Sequence, residues 1–122
     1  MDMALDLYKK FIDDLVEQCD CIYARRVREK LLWPNTAAAD LVRQNKVIES
    51  LNEENRKIVS EILQNARNSG MHDVLVYLSE QMELSGLRIV IDGIELPVEP
   101  FDTSMFYDWI ARCNNDTWPD EK

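Results

Sequence analysis

The chain has one histidine, His72, with an acid beside it, Asp73, and a tyrosine five positions on, Tyr77. An imidazole titrates near neutral pH and can carry a proton or bind a metal. His72, Asp73 and Tyr77 are therefore the candidates for acid–base work or for a small-molecule site. Two considerations weigh against catalysis. Neighbouring side chains on a helix diverge by about 100°, so His72 and Asp73 do not make a dyad with each other. A base also needs a nucleophile or a substrate pocket. The chain has no nucleophile elbow, glycine-rich phosphate loop or His-Glu-x-x-His motif. The balance leans away from an enzyme. The plainer reading is that His72 packs or hydrogen-bonds and Asp73 complements a helix dipole.

Three cysteines, Cys19, Cys21 and Cys113, are the other possible metal ligands or nucleophiles. Cys19 and Cys21 are two residues apart on a helical pattern and point about 200° apart. No Cys-x-x-Cys pair occurs, so neither a metal nor a cofactor is expected. An odd, small cysteine count without a basic, apolar leader predicts a reduced, cytoplasmic protein. No run of 18 apolar residues is present to cross a membrane.

Charge is the clearest chemical signal. The 122 residues carry a net charge of -9. Residues 1–61 hold 10 basic and 12 acidic side chains; residues 62–122 hold 4 and 11. Such a balance opposes sequence-independent binding to nucleic acid or to an anionic membrane. It suits a basic protein partner, or solubility alone. Glu95, Glu99, Asp102 and Asp108 cluster after one turn signal, among the aromatics Phe101, Phe106, Tyr107 and Trp109. Tyr and Trp are favoured anchors at interfaces. Glu95, Glu99, Asp102, Tyr107, Asp108 and Trp109 thus form the candidate binding surface. The one basic cluster is Arg25, Arg26, Arg28 and Lys30. It reads as a solvated helix end or, alternatively, as an anion site or a contact with the acidic half of another copy.

The elements that must position these residues are mostly helices. Leu5, Tyr8, Ile12, Leu15, Val16, Cys19, Ile22 and Tyr23 step by three or four and predict a first helix over about 3–32. A bend can lie at Cys19–Cys21, and Trp33-Pro34 closes the helix. A second helix is expected from Thr36 to Ser50, with Asn35 or Thr36 as its cap. A third starts after Asn52 and stops at Gly70, which can adopt the left-handed conformation of a helix end. The fourth, over about 71–84, carries Met71, Val74, Leu75, Leu78 and Met82 on one stripe, with Val76, Tyr77 and Leu84 off it. Being apolar on more than one face, it should be the most buried element. Asp92-Gly93 between β-branched runs predicts a hairpin over about 87–96. A fifth helix follows, capped by Asp102 or Thr103 and running to about Cys113. Met105, Phe106, Trp109 and Ile110 should face inward, with Tyr107 and Asp108 off that side. The tail, 114–122, should fray unless Trp118 docks. The whole predicts one mainly α domain over 1–122, with about five helices and one β-hairpin between helices 4 and 5.

Three segments also carry a likeness. Gly70-Met71-His72-Asp73, Glu95-Leu96-Pro97-Val98-Glu99-Pro100-Phe101 and Tyr107-Asp108-Trp109 resemble a family of small acidic bacterial proteins classed as a domain of unknown function. The likeness spans most of the chain, from Tyr8-Lys9-Lys10-Phe11-Ile12 to Trp118-Pro119. It implies a compact, mostly helical bacterial protein and brings no reaction, cofactor or catalytic residue. The residues therefore favour a small binding or regulatory module with an acidic surface for a basic protein partner. The alternatives are a small-molecule binder or enzyme centred on His72, and a homo-oligomeric structural protein.

Overall fold

Asp2 opens the first helix by accepting a hydrogen bond from the Leu5 amide at 3.1 Å. The computed structural model describes residues 2–122. Five α-helices, one short hairpin and a terminal 3-10 turn follow in order. They are α1 (Met3–Glu17), α2 (Ile22–Arg28), α3 (Ala39–Ser50), α4 (Glu53–Leu84), β1 (Val90–Ile91), β2 (Ile94–Glu95), α5 (Met105–Cys113) and the turn Pro119–Glu121. Among the described residues, no helix is long and apolar enough to cross a membrane.

The number of helices agrees with expectation, but their division does not. The single helix expected over about 3–32 is two. The chain leaves helical geometry between Glu17 and Ile22, and Cys21 is extended (φ -94°, ψ 110°). The Cys21 amide donates instead to the Gln64 side chain on α4, at 3.3 Å. That partner lies 43 residues away, so periodicity alone could not reveal the break. α2 also stops well before Trp33-Pro34. Lys30 turns to φ 54°, the Leu31 amide reaches back to the Arg26 carbonyl at 2.8 Å, and the helix closes as a Schellman motif with a lysine at the left-handed position.

The opposite happens at Gly70. The third and fourth expected helices are one helix of 32 residues, α4, and Gly70 keeps ordinary helical geometry inside it. A glycine there costs about 1 kcal/mol against alanine and does not by itself stop a helix. The start of α4 is as expected: the Asn55 amide donates to the Asn52 side chain at 2.7 Å. α3 begins three residues later than Thr36, with Ala38 at its cap position.

The hairpin forms where Asp92-Gly93 places it, both residues having positive φ (49° and 77°). Val90 pairs with Glu95 and Ile91 with Ile94, antiparallel. The strands are shorter than 87–96, although the Leu96 amide adds a further bond to the Ile89 carbonyl at 2.8 Å.

The chain packs as two units. One contains the residues up to Cys19 together with Gly70–Lys122; the other is Asp20–Ser69. In the first, Tyr8, Ile12, Leu75, Met82, Met105, Trp109 and Trp118 make the core, and Ile12 is its most completely enclosed side chain. The stretch 71–84 is not the most buried element. It buries Leu75 and Met82 but leaves Val74, Tyr77 and Leu84 in solvent. In the second unit Cys21, Ala24, Val27 and Ile48 are buried, and the buried Ser60 hydroxyl donates to the Ala24 carbonyl at 2.8 Å.

In the tail, Trp118 docks. Trp118 is buried, stacked obliquely on Phe101 and Tyr8 (centroids 5.6 and 6.2 Å apart). Lys9 holds the last turn through Asp120 at 2.8 Å and Glu121 at 3.1 Å.

Candidate functional site

The most elaborate polar arrangement lies where α1 meets the start of α5. Asp108 sits in the first turn of α5 and is 4 % exposed. The Tyr8 hydroxyl, from α1, donates to one of its oxygens. The Thr103 hydroxyl donates to the other, at 2.5 Å. Both carboxylate oxygens are thus taken by hydroxyls inside the fold. Burial raises the Asp108 carboxyl above its ordinary value, and the bonds from Thr103 and Tyr8 oppose that rise. Burial raises the Tyr8 hydroxyl well above its own, reinforced by the bond to Asp108 and by the charges of Asp108 and Glu99. A phenol held this firmly is not a proton donor at neutral pH, and each Asp108 oxygen already accepts a hydrogen bond from within the fold. The network's role is positional: it ties α1 to the loop 96–104 and to the start of α5.

That loop and the end of β2 before it carry the exposed acids. Glu95, Glu99 and Asp102 all face solvent. Glu99 and Asp102 have positive φ, 51° and 62°, and the Asp102 amide donates to the Glu99 carbonyl at 3.0 Å. Asparagine and aspartate tolerate such geometry; glutamate does so at a cost of about 1 kcal/mol. Strain of this kind persists where the surroundings enforce it. Tyr107 stands on α5 with 57 % of its surface exposed. Beside it is a cleft of about 180 Å³ lined by Thr103, Tyr107, Asp108, Arg112, Trp118 and Lys122. Arg112 forms a two-bond pair with Asp13 of α1, at 2.8 and 3.2 Å, and also donates to the Asp116 carbonyl at 2.8 Å.

Two of the expected surface residues need correction. Asp108 and Trp109 are both buried, so neither presents itself to a partner. Asp108 follows Met105 by three positions and therefore shares its inward face, a placement obscured when only apolar residues are counted. Ile110, expected to face inward, is exposed. Glu95, Glu99, Asp102 and Tyr107 stay at the surface. Tyr8 and Thr103 were legible only as a core position and a cap; their hydroxyls were the missed signal.

His72 lies in the middle of α4 rather than at a helix start. Its ring packs edge-on to Phe106, 5.6 Å between centroids, and Nδ1 is 3.5 Å from the Asp73 carboxylate. Tyr77 is largely exposed on the same helix. The cleft beside Tyr107 is lined by neither of them. Cys113 lies against Cys19, and burial together with that neighbour pushes its thiol up to about 11. Among the described residues, no group of three His, Cys, Asp or Glu side chains is placed to hold a metal.

A family model described as a family of unknown function (DUF6547) matches residues 1–120. No curated protein and no solved structure matches the chain. The chain belongs to that family.

Proposed function

We propose that this DUF6547 protein is a small cytoplasmic binding module that presents the acidic loop and helix α5 region to a basic protein partner. The observation that carries this reading is the segregation of charge. The unit made by residues up to Cys19 and Gly70–Lys122 has 5 basic and 16 acidic residues, a balance of -11. Asp20–Ser69 has 9 basic and 7 acidic residues, a balance of +2. Solubility alone does not require the acids to gather on one unit. Complementary charge steers a partner and fixes its register. Glu99 and Asp102 stand at the surface with positive φ, strained at Glu99, and the exposed Tyr107 of α5 supplies an aromatic anchor. The buried Tyr8–Asp108–Thr103 network keeps that loop in place.

The test is affinity capture with the full chain at low and at moderate salt. The reading predicts a stoichiometric basic partner that is released as salt rises. A partner that is acidic, or that ignores salt, contradicts it. The same asymmetry favours a second reading, in which the acidic unit meets the positively charged unit of another copy. Sedimentation at low salt separates the two: self-association dispersed by salt supports the second.

A further inference from the structure

Arg26 is a cation without an anion. Its neighbour Arg25 pairs with Asp20 at 3.4 Å, but Arg26 takes part in no ion pair among the described residues. Its Nε is buried and has no hydrogen-bond partner. The guanidinium lies over the Trp33 ring, its carbon 3.6 Å from the ring centroid. This is close stacking and it desolvates one face of the cation. Trp33 is itself held: its amide donates to the Asn45 side chain at 2.8 Å, and Asn45 donates back to its carbonyl at 2.9 Å. Among the described residues, none of the 23 side-chain carboxylates forms an ion pair with this guanidinium.

The stacked pair forms part of the wall of a cleft of about 300 Å³, wholly within Asp20–Ser69. The rest of the lining is mainly aliphatic: Val27, Val47, Ile48, Leu51, Val59 and Leu63. Small-molecule sites are apolar clefts of roughly 300–1,000 Å³ with a few placed polar groups. We propose that this cleft binds a small carboxylic acid with an apolar body. The carboxylate meets the Arg26 guanidinium, whose planar fork matches it, and the body lies against Trp33 and the aliphatic wall. A phosphoryl group fits less well, because it would bring two charges to a single cation against a mainly aliphatic wall.

The test is calorimetry of the full chain with octanoate and with 1-octanol. Octanoate should bind one saturable site, and octanol at least about tenfold more weakly. Arg26→Met should weaken octanoate about tenfold or more and leave octanol unchanged. Val47→Glu changes an exposed residue of the cleft lining and leaves Arg26 intact; it should weaken octanoate to a similar degree through like-charge repulsion. It also serves if Arg26→Met does not fold. The proposal is overturned if octanoate shows no saturable binding, if octanol binds equally well, or if both folded variants keep wild-type affinity. It is also overturned if Val47→Glu disperses a self-associated wild type that octanoate does not disturb, since the cleft is then a protein docking surface.

Discussion

Tyr8 and Asp108 lie 100 residues apart in the chain, yet the hydroxyl of one donates to the carboxylate of the other inside the fold. The bond joins the first helix to the last and sits directly behind the acidic loop. Its loss should therefore be felt both in stability and in how the loop is presented.

Tyr8→Phe removes one of the two donors to a buried carboxylate, which should cost about 1–3 kcal/mol. It should also change the pH dependence. The Tyr8 hydroxyl is raised in the folded state, so the unfolded chain gives up this proton first, near pH 10. The stabilisation is present below that pH and falls as pH rises through and beyond it. Urea melts between pH 8 and 11 should show wild-type stability falling more steeply than that of Tyr8→Phe. Parallel profiles would remove Tyr8 from the account.

Beyond its chain neighbours and the helix's own backbone, nothing lies within 4 Å of where a β-carbon on Gly70 would stand, and it lies inside a continuous helix. Gly70→Ala should stabilise the protein by about 0.5–1 kcal/mol. A thermal melt that falls instead of rising would mean that the helix is interrupted at this point.

Glu99→Gly should relieve the positive φ at this position and stabilise by roughly 0.5–1 kcal/mol, while weakening the capture of a basic partner. Stability and binding moving in opposite directions is the outcome expected if the strain serves a surface. A loss of stability would show that the Glu99 side chain holds the loop.

Cys113 is exposed as a residue, but its thiol is partly buried against Cys19 and is pushed up to about 11. Alkylation by iodoacetamide at pH 8 should be about tenfold or more slower than for an ordinary thiol, even allowing for the greater nucleophilicity of a more basic thiolate. The rate should keep climbing past pH 9.5. A plateau near pH 9 would contradict the burial and the Cys19 contact that cause the shift.

Several local signals in the sequence held. Asp92-Gly93 turns the hairpin, Asn52 caps α4, and the stripe through Tyr8 and Ile12 faces the core. What the sequence did not show depends on partners far along the chain. The break before Ile22 is satisfied by Gln64, and the tail is fixed by Lys9 and Arg112. Gly70 is a helix-stop residue by type, but no left-handed turn is made there. From its type Asp108 reads as a surface acid, because a carboxylate is usually solvated. Only the hydroxyls of Tyr8 and Thr103 make its burial tolerable. For the candidate site, then, the acids of the loop were legible and the network behind them was not.

The most direct test of the central claim compares two charge reversals in affinity capture at low salt. One carries Glu95→Lys at the end of β2 with Glu99→Lys and Asp102→Lys on the loop; the other carries Glu49→Lys and Glu61→Lys, exposed acids of the second unit. The account predicts that a basic partner is lost with the loop variant and retained with the control. Retention by both, or equal loss from both, would contradict it, because the acidic loop would then be no more than solvated charge.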